Sequence, residues 1–394
     1  MLTIGLLTNN VLSANFGVNA LSLSNLLLIE QSCKKNNIEH QYLLFGDVSQ
    51  EKELLKEIKA VPELETTKIS VVPEIELRKT SSIVKFTKNI NKCDVVFDTS
   101  GGDSYSDIYG NKRMLHQYFP KWITLMCRKP LVLTPQTIGP FKSKIWNELS
   151  KKQLKKCLAV FARDEASFEV AYNEFGLRNV TQVTDMAMIL PYKKYPLPEK
   201  GKLKVGVNVS GLLYNGGYTQ NNQFSLKSSY RELVNRMIVM LTEELDCEVF
   251  LVPHVITTGT ESDNEACEEI KRNYPKVNYQ GPFKNAIEAK SFISSLDMLI
   301  GSRMHTTIAS ISAHVPTIPL SYSRKFEGLF GSLKYNVCIN LKEDSQEVTL
   351  DKICSYVNNI SDLKKNVQDS NEVISKKIDL YKVSLTSILE KCNG

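Results

Sequence analysis

Short runs of Val, Ile and Leu alternate along this chain with longer amphipathic stretches. The runs at 2–8, 41–45, 68–72, 94–98, 130–135, 158–162 and 180–184 carry apolar cores, as in Val95-Val96-Phe97 and Leu158–Ala162, rather than a regular alternation. That is the pattern of strands covered on both faces, as in a parallel sheet. The stretches between them carry a helical period and predict helices near 20–36, 51–60, 81–92, 112–128, 143–156 and 164–176. The rhythm breaks at 191–204, PYKKYPLPEKGKLK, where three Pro, five Lys and one Gly read as a linker. It then restarts, with strands at 203–209, 249–253, 298–300 and 317–320 and helices near 228–246, 261–273, 286–295, 304–313 and 349–361. Residues 362–391 predict one long C-terminal helix. The polar stretch 211–228 is too long for an ordinary connection and is expected to be a mobile substrate loop. The expected fold is α/β, with two doubly wound Rossmann-like domains facing across a cleft. The first is 1–190, the linker 191–204 and the second 205–361, while 362–394 forms a helix expected to pack back on the first.

Composition narrows the class. The 394 residues are 42% hydrophobic and 23% charged, enough to bury sizeable cores and not the composition of a disordered chain. The longest apolar runs, such as Leu26-Leu27-Leu28-Ile29, fall far short of the ~18 residues of a membrane helix. The N-terminus reads as a first strand and lacks a basic leader, so a cytoplasmic location is expected. The net charge is only +6, from 39 Lys and 10 Arg against 43 acids. The basic residues read as spread along the chain without aromatic interleaving, which argues against nucleic acid. Peripheral contact with a membrane surface stays open, although no amphipathic anchor stands out. The nine Cys are scattered with no C-x-x-C pair, and read as reduced, mostly buried thiols. No His or Cys cluster has metal-ligand spacing, so no metal is expected.

In doubly wound sheets ligands sit outside the carboxyl ends of the strands. Residues directly after each strand are therefore the candidates. In Asp297-Met298-Leu299-Ile300-Gly301-Ser302-Arg303-Met304-His305 a strand ends at Gly301, and Ser302 is the expected helix N-cap. Arg303 and His305 then stand at a helix start, where free N–H groups favour an anion. Arg303 offers a planar fork for carboxylate or phosphate, and His305 can move a proton near neutrality. The plainer reading is a surface Arg and a capping His. After the strand at 94–98 come Gly101, Gly102, Asp103 and Asp107; the paired Gly permit close approach, and the acids suit sugar hydroxyls or base catalysis. An Asx-turn cluster explains them equally well, and Asp107 reads equally as structural. Lys325, after the strand at 317–320, could reach an anion held by Arg303, or simply be solvated. Arg163 follows another strand and either enters the cleft or pairs with Asp164. Gln136 and His254 end two further strands. No Walker loop and no G-x-G-x-x-G follows the first strand, which disfavours ATP and NAD.

These segments occur in a fixed order: NFGVNAL (15–21), SGGDSYSDIYG (100–110), PQTIGPF (135–141), ARDEAS (162–167), VTDMAM (183–188), VPH (252–254), GSRMHTTIAS (301–310) and YSRKFEG (322–328). In that order and spacing the chain resembles the polysaccharide pyruvyl transferase family across almost its whole length. The resemblance implies a glycosyltransferase-B-like fold, with the first domain on the acceptor side and the second on the donor side. It implies transfer of pyruvate from phosphoenolpyruvate onto a sugar hydroxyl, usually as a ketal, in cell-surface polysaccharide assembly. The family's Arg-x-His motif matches Arg303 and His305, its Gly-Gly-Asp region Gly101, Gly102 and Asp103, and its Tyr-x-x-Lys motif Tyr322 and Lys325. Its R-D/E-x-x-S motif matches Arg163. Met186 departs from the family, where Pro is expected.

The implied partners are phosphoenolpyruvate and a free, nucleotide-linked or lipid-linked sugar, with no further cofactor. His305, Arg303 and Asp103 are the expected catalytic residues. Arg163, Lys325, Asn15, Gly101, Gly102, Asp107, Gln136, His254, Ser302 and Tyr322 complete the expected binding set. Two other readings compete: a nucleotide-sugar glycosyltransferase of the same fold, and a non-catalytic carbohydrate-binding relative.

Overall fold

The alternation of apolar strands and amphipathic helices is realised twice. The computed structural model describes residues 1–102, 105–197, 201–279 and 281–394. They cluster into two units. One is Met1–Ser13, Leu21–Met186 and Ser375–Gly394, and the other is Ala14–Ala20 and Ala187–Ile374.

The first unit is built from β1 (Leu2–Leu7), α1 (Phe16–Lys35, whose first turn belongs to the other unit), β2 (His40–Gly46), α2 (Glu51–Lys59), β3 (Ile69–Pro73), α3 (Thr80–Asn91) and β4 (Val95–Asp98). It continues with α4 (Asn111–Met126), β5 (Leu131–Gln136), α5 (Lys144–Leu154), β6 (Ala159–Ala162), α6 (Glu165–Glu169) and β7 (Val180–Gln182). The strands form one parallel sheet in the order β3-β2-β1-β4-β5-β6-β7. All six residues of β1 and of β5 are buried, the physical reason apolar residues dominate β1 and the first half of β5. Phe45, Phe86, Val96, Met114, Leu133 and Val160 form part of the core on one face. The order reverses between β1 and β4, which makes their carboxyl ends the expected ligand position.

The second unit holds β8 (Lys204–Asn208), α7 (Gly211–Tyr214), α8 (Tyr230–Val239), β9 (Glu248–Leu251), α9 (Asp263–Asn273), β10 (Asn278–Tyr279) and α10 (Ala286–Ile293). Then follow β11 (Met298–Gly301), α11 (Met304–Ser312), β12 (Thr317–Ser321), α12 (Arg324–Ser332), β13 (Ile339–Asn340) and α13 (Gln346–Asn358). Its parallel sheet runs β10-β9-β8-β11-β12-β13, with the reversal between β8 and β11. The last helix, α14, spans Ile360–Asn393. Within the first unit its Tyr381 ring meets Phe161 edge-on at 4.8 Å and Lys377 Nζ donates to the Val183 carbonyl at 3.4 Å.

Several details depart from the sequence reading. The two-residue strands β10 and β13 were not expected, because so short an edge carries no period. The helices expected at 164–176 and 228–246 each end in a wider π turn, Val170–Glu174 and Met240–Glu244. The start of the 211–228 stretch is not a free loop: it forms α7, all four residues of which are buried.

One polar cluster inside the first unit titrates. Glu30 on α1 is buried and accepts hydrogen bonds from His40 Nε2 at 2.8 Å and from Tyr42 Oη at 3.0 Å. Burial alone would lower the His40 pKa, but hydrogen bonds to Cys33, Glu30 and the Ile38 carbonyl outweigh it and raise it to about 10. A folded pKa above the unfolded 6.5 adds stability that is complete below that value and is lost as pH rises to about 10. Replacing His40→Gln is expected to cost about 1–2 kcal/mol at pH 6 and to flatten the decline in stability toward pH 10, read by urea denaturation at several pH values.

Candidate functional site

The second unit gathers its polar side chains where β8 and β11 end. Asn208, the last residue of β8, is buried; its Nδ2 donates to the Val252 carbonyl at 2.8 Å and its Oδ1 accepts the Arg303 N–H at 2.8 Å. This fixes the turn from β11 into α11. Ser302 is not the helix cap that its sequence position suggests. The cap position is Arg303, no side chain caps α11, and the Ser302 hydroxyl accepts from Tyr230 Oη at 2.6 Å. The Thr306 and Thr307 N–H groups turn back to the Arg303 carbonyl at 3.1 and 3.2 Å, so the first turn of α11 is closed by backbone rather than by a side-chain cap.

Arg303 is held by a carboxylate that sequence reasoning did not single out. Asp263, the first residue of α9, is fully buried. Its Oδ1 accepts from Arg303 Nη2 at 2.7 Å and Nε at 3.1 Å, and Arg303 Nη2 also reaches the Glu261 carbonyl at 2.9 Å. The same carboxylate accepts three backbone N–H groups: Gly211 at 2.8 Å, His254 at 3.1 Å and Val255 at 3.0 Å. So many donors offset the cost of burying the charge. Burial weakens the Arg303 cation, but Asp263, Tyr322 and Glu261 outweigh it and the net shift is upward, so Arg303 stays charged. The expectation of a whole guanidinium fork open to an anion is corrected. Nε and Nη2 are spent on the protein, and Nη1 is the nitrogen with no partner among the described residues. Asp263 also carries a capping-box signal, Ser262-x-x-Glu265, which reads as helix start; its tie to Arg303 is purely tertiary.

Two histidines stand beside this pair. His254 is buried, and neither ring nitrogen has a hydrogen-bond partner among the described residues. Desolvation first, then the nearby His305 and Arg303 charges, lower its pKa well below 6.5, so the ring is neutral. Phe16 packs edge-on against it at 5.6 Å. His305, half-buried in the first turn of α11, lies against Gly17: a Cβ there would come within 2.6 Å of the His305 Cγ. Gly17 is thus required by close approach. Asn15 precedes it as the cap of α1, its Oδ1 accepting the Gly17 N–H at 3.0 Å. Tyr322 and Lys325 follow β12, which pairs with β11, so they leave the adjacent strand at the same edge of the sheet. Tyr322 packs against Phe224 and Phe326.

The first unit has a separate polar cluster at its own reversal. Asp98, at the end of β4, is buried and accepts from Thr8 at 2.8 Å, Ser100 at 2.5 Å and the buried Lys121 at 2.8 Å. Burial lowers the Lys121 pKa, and Asp98 counters it. Ser100, Gly101 and Gly102 follow with φ of 46°, 62° and 82°. A side chain at Gly102 would strike Leu21 and come within 3.3 Å of Arg163 Nη1. Arg163 is 1% exposed and pairs with Asp185 at 2.7 Å, its Nε standing 3.8 Å from Asp164. It therefore lies beneath the glycine turn. Gln136 is buried, its Nε2 donating to the Asp98 carbonyl while Oε1 has no partner among the described residues. Both oxygens of Asp107 accept backbone N–H groups, Lys142 at 2.8 Å and Ser143 at 2.7 Å, which ties this loop to α5. Asp103 lies outside the described residues.

Comparison with known proteins fits this arrangement. The model of the family "Polysaccharide pyruvyl transferase" matches residues 37–324. The amylovoran biosynthesis protein AmsJ of Erwinia amylovora is 19% identical over 318 residues, covering 76% of this chain and 72% of its own. Among solved structures, the UDP-GlcNAc 2-epimerase from Methanocaldococcus jannaschii superposes with a TM-score of 0.58 at 12% identity, over 89% of this chain and 91% of that one. MurG of Acinetobacter baumannii gives 0.50 at 13% identity, over 96% and 99%. At such identities the structural likeness speaks for the fold alone, which is glycosyltransferase-B-like.

The Asp263–Arg303 pair has a measurable consequence. Asp263→Ala leaves a buried cation uncompensated and is expected to destabilise the protein by about 3–5 kcal/mol. In a double-mutant cycle, Asp263→Asn and Arg303→Met are expected to couple by more than about 1 kcal/mol. Additive losses in urea denaturation would mean the two side chains do not depend on each other.

Proposed function

We infer the activity from one premise: the chain belongs to the polysaccharide pyruvyl transferase family. It is a transferase of polysaccharide biosynthesis, and we read it as moving pyruvate from phosphoenolpyruvate onto a sugar hydroxyl, closing to a ketal. The observation that carries the reading is Arg303 and His305 at the uncapped start of α11, with Arg303 fixed by Asp263. Phosphoenolpyruvate places a carboxylate and a phosphate on a few atoms, and a charged Nη1 at the positive end of the α11 dipole suits one of them. Lys325, at the neighbouring strand end, supplies a second cation.

In the proposed reaction a proton adds to the methylene carbon while an acceptor hydroxyl attacks the adjacent enol carbon and gives up its own proton. The C–O bond to phosphate then breaks, phosphate leaves with the bonding pair, and a second hydroxyl of the sugar attacks the same carbon and passes its proton to the departing phosphate, closing the ketal. His305 acts as the general acid or as the donor on the phosphate side. Arg303 stabilises the charge that collects on the leaving phosphate. Asp103 orients or deprotonates the acceptor hydroxyl. His254 stays neutral and donates no charge; it fills the wall behind His305.

Thermal unfolding with phosphoenolpyruvate, and separately with nucleotide sugars, tests the donor. A hundredfold excess over the dissociation constant is expected to stabilise wild type by ~2.7 kcal/mol and to have no effect on Arg303→Ala. A shift with nucleotide sugars alone would replace this reading by glycosyl transfer. For the proton, His305→Ala is expected to bind phosphoenolpyruvate yet lose ~100- to 10,000-fold in turnover. Normal turnover would remove His305 from the mechanism.

A further inference from the structure

The basic residues are not evenly spread once the chain is folded. Between 108 and 163 there are twelve Lys and Arg against one acid, Glu148, so the remainder of a chain of net charge +6 is net negative. Two of the twelve, Lys121 and Arg163, are buried in ion pairs. The others are exposed or half-exposed, and they fall on or beside α4 and α5. These two helices follow consecutive parallel strands, β4 and β5, and right-handed crossovers place them on one face of the first unit's sheet. They touch: Trp146 Nε1 donates to Asn111 Oδ1 at 2.9 Å, and the Tyr118 and Trp146 rings lie 5.8 Å apart.

The outward side of this layer is also apolar. Leu115, Trp122 and Met126 are 38%, 42% and 62% exposed. At helical spacing they fall within an arc of roughly 40° and form a ridge about 17 Å long on α4. Ile145 on α5 is 72% exposed. Lys142 and Lys144 stand beside it, Lys152 continues its face of α5, and Lys155 and Lys156 follow at the end of the helix. Trp122 is the diagnostic residue, with a large amphipathic ring held at the surface. No helix among the described residues is long and apolar enough to cross a membrane.

We propose that the outer face of α4 and α5 is a docking surface for an anionic lipid bilayer, with Leu115, Trp122, Met126 and Ile145 entering the interface and the surrounding lysines meeting the head groups. Charge complementarity selects this occupant. An acid-poor surface studded with half-exposed large apolar groups combines the two terms that hold a protein on an anionic membrane. Nucleic acid would use the charge and leave the apolar ridge in water. A second copy of the chain would set two strongly basic faces against each other. The inference is independent of which donor the second unit binds.

Vesicle co-sedimentation of the full chain tests it. Phosphatidylcholine vesicles containing a minority of phosphatidylglycerol are expected to bind the protein at low salt, and pure phosphatidylcholine vesicles are not. Charge reversal at Lys152→Glu, Lys155→Glu and Lys156→Glu together is expected to weaken binding by ~100-fold or more. Trp122→Ser with Met126→Ser is expected to weaken it by ~10-fold. Both sets are surface changes, and an unchanged melting temperature shows that the fold survives. Binding should also shift tryptophan emission to the blue, and Trp122→Phe should abolish that shift, since the second tryptophan, Trp146, is buried. The proposal is overturned if anionic vesicles do not bind, if either variant set binds like wild type, or if the emission shift survives Trp122→Phe. Self-association abolished by Trp122→Ser without lipid, or tight nucleic-acid binding indifferent to Trp122, would equally overturn it.

Discussion

The second unit is organised around one buried carboxylate. Asp263 takes a guanidinium and three backbone N–H groups, and those donors come from three separate places: the start of α7, the two residues after Pro253, and the turn after β11. A charge removed from water must be met by donors or it destabilises the fold. Meeting it here forces the loops at the ends of β8, β9 and β11 into one arrangement. Gly211 shows how tight that arrangement is, since a Cβ there would come within 2.9 Å of the Asp263 backbone nitrogen. Arg303 keeps its charge, its Nη1 without a partner among the described residues, and His305 follows two residues later in the first turn of α11. The geometry of the candidate site is thus tied to satisfying a buried charge.

The first unit solves the same problem with different residues. Asp98 is met by Lys121 from α4 and by the hydroxyls of Thr8 and Ser100. Arg163 is met by Asp185, and its guanidinium lies close under Gly102. In both units a buried ion pair stands where the strand order reverses, the place where helices leave on opposite faces and open a crevice. The pairs are positioning devices. They hold backbone turns whose amides and neighbouring side chains face the crevice.

Catalysis and location then draw on different surfaces. The proposed pyruvyl transfer draws on a few cations at the carboxyl edge of the second sheet. A bilayer contact uses the helical flank of the first, where acids are scarce and four large apolar groups are exposed. A hydroxyl acceptor carried on a lipid would be met by a protein already held at that surface, which couples the two parts through the substrate rather than through the fold.

Mostly apolar runs such as Leu2–Leu7 and Leu131–Leu133 declared a parallel, doubly covered sheet, because a strand buried on both faces leaves little room for regular polar alternation. The order of the motifs declared the family, and the strand-end rule named Arg303 and His305 as candidates. Sheet type and family are legible along the chain, so the sequence by itself determined those two. What only the tertiary structure decided concerns partners distant along the chain. Asp263 and Arg303 are 40 positions apart, and Asp263 looked like an ordinary first-turn acid. Ser302 had the chemistry of a cap and instead binds Tyr230. Gly17 gave no sign that His305 would lie on it. The clustering of lysines with Trp122 and Ile145 also needed the fold, since a right-handed crossover is what turns two successive helices toward the same side. Periodicity along a chain reports which face of an element is buried; it carries no record of which other element does the burying.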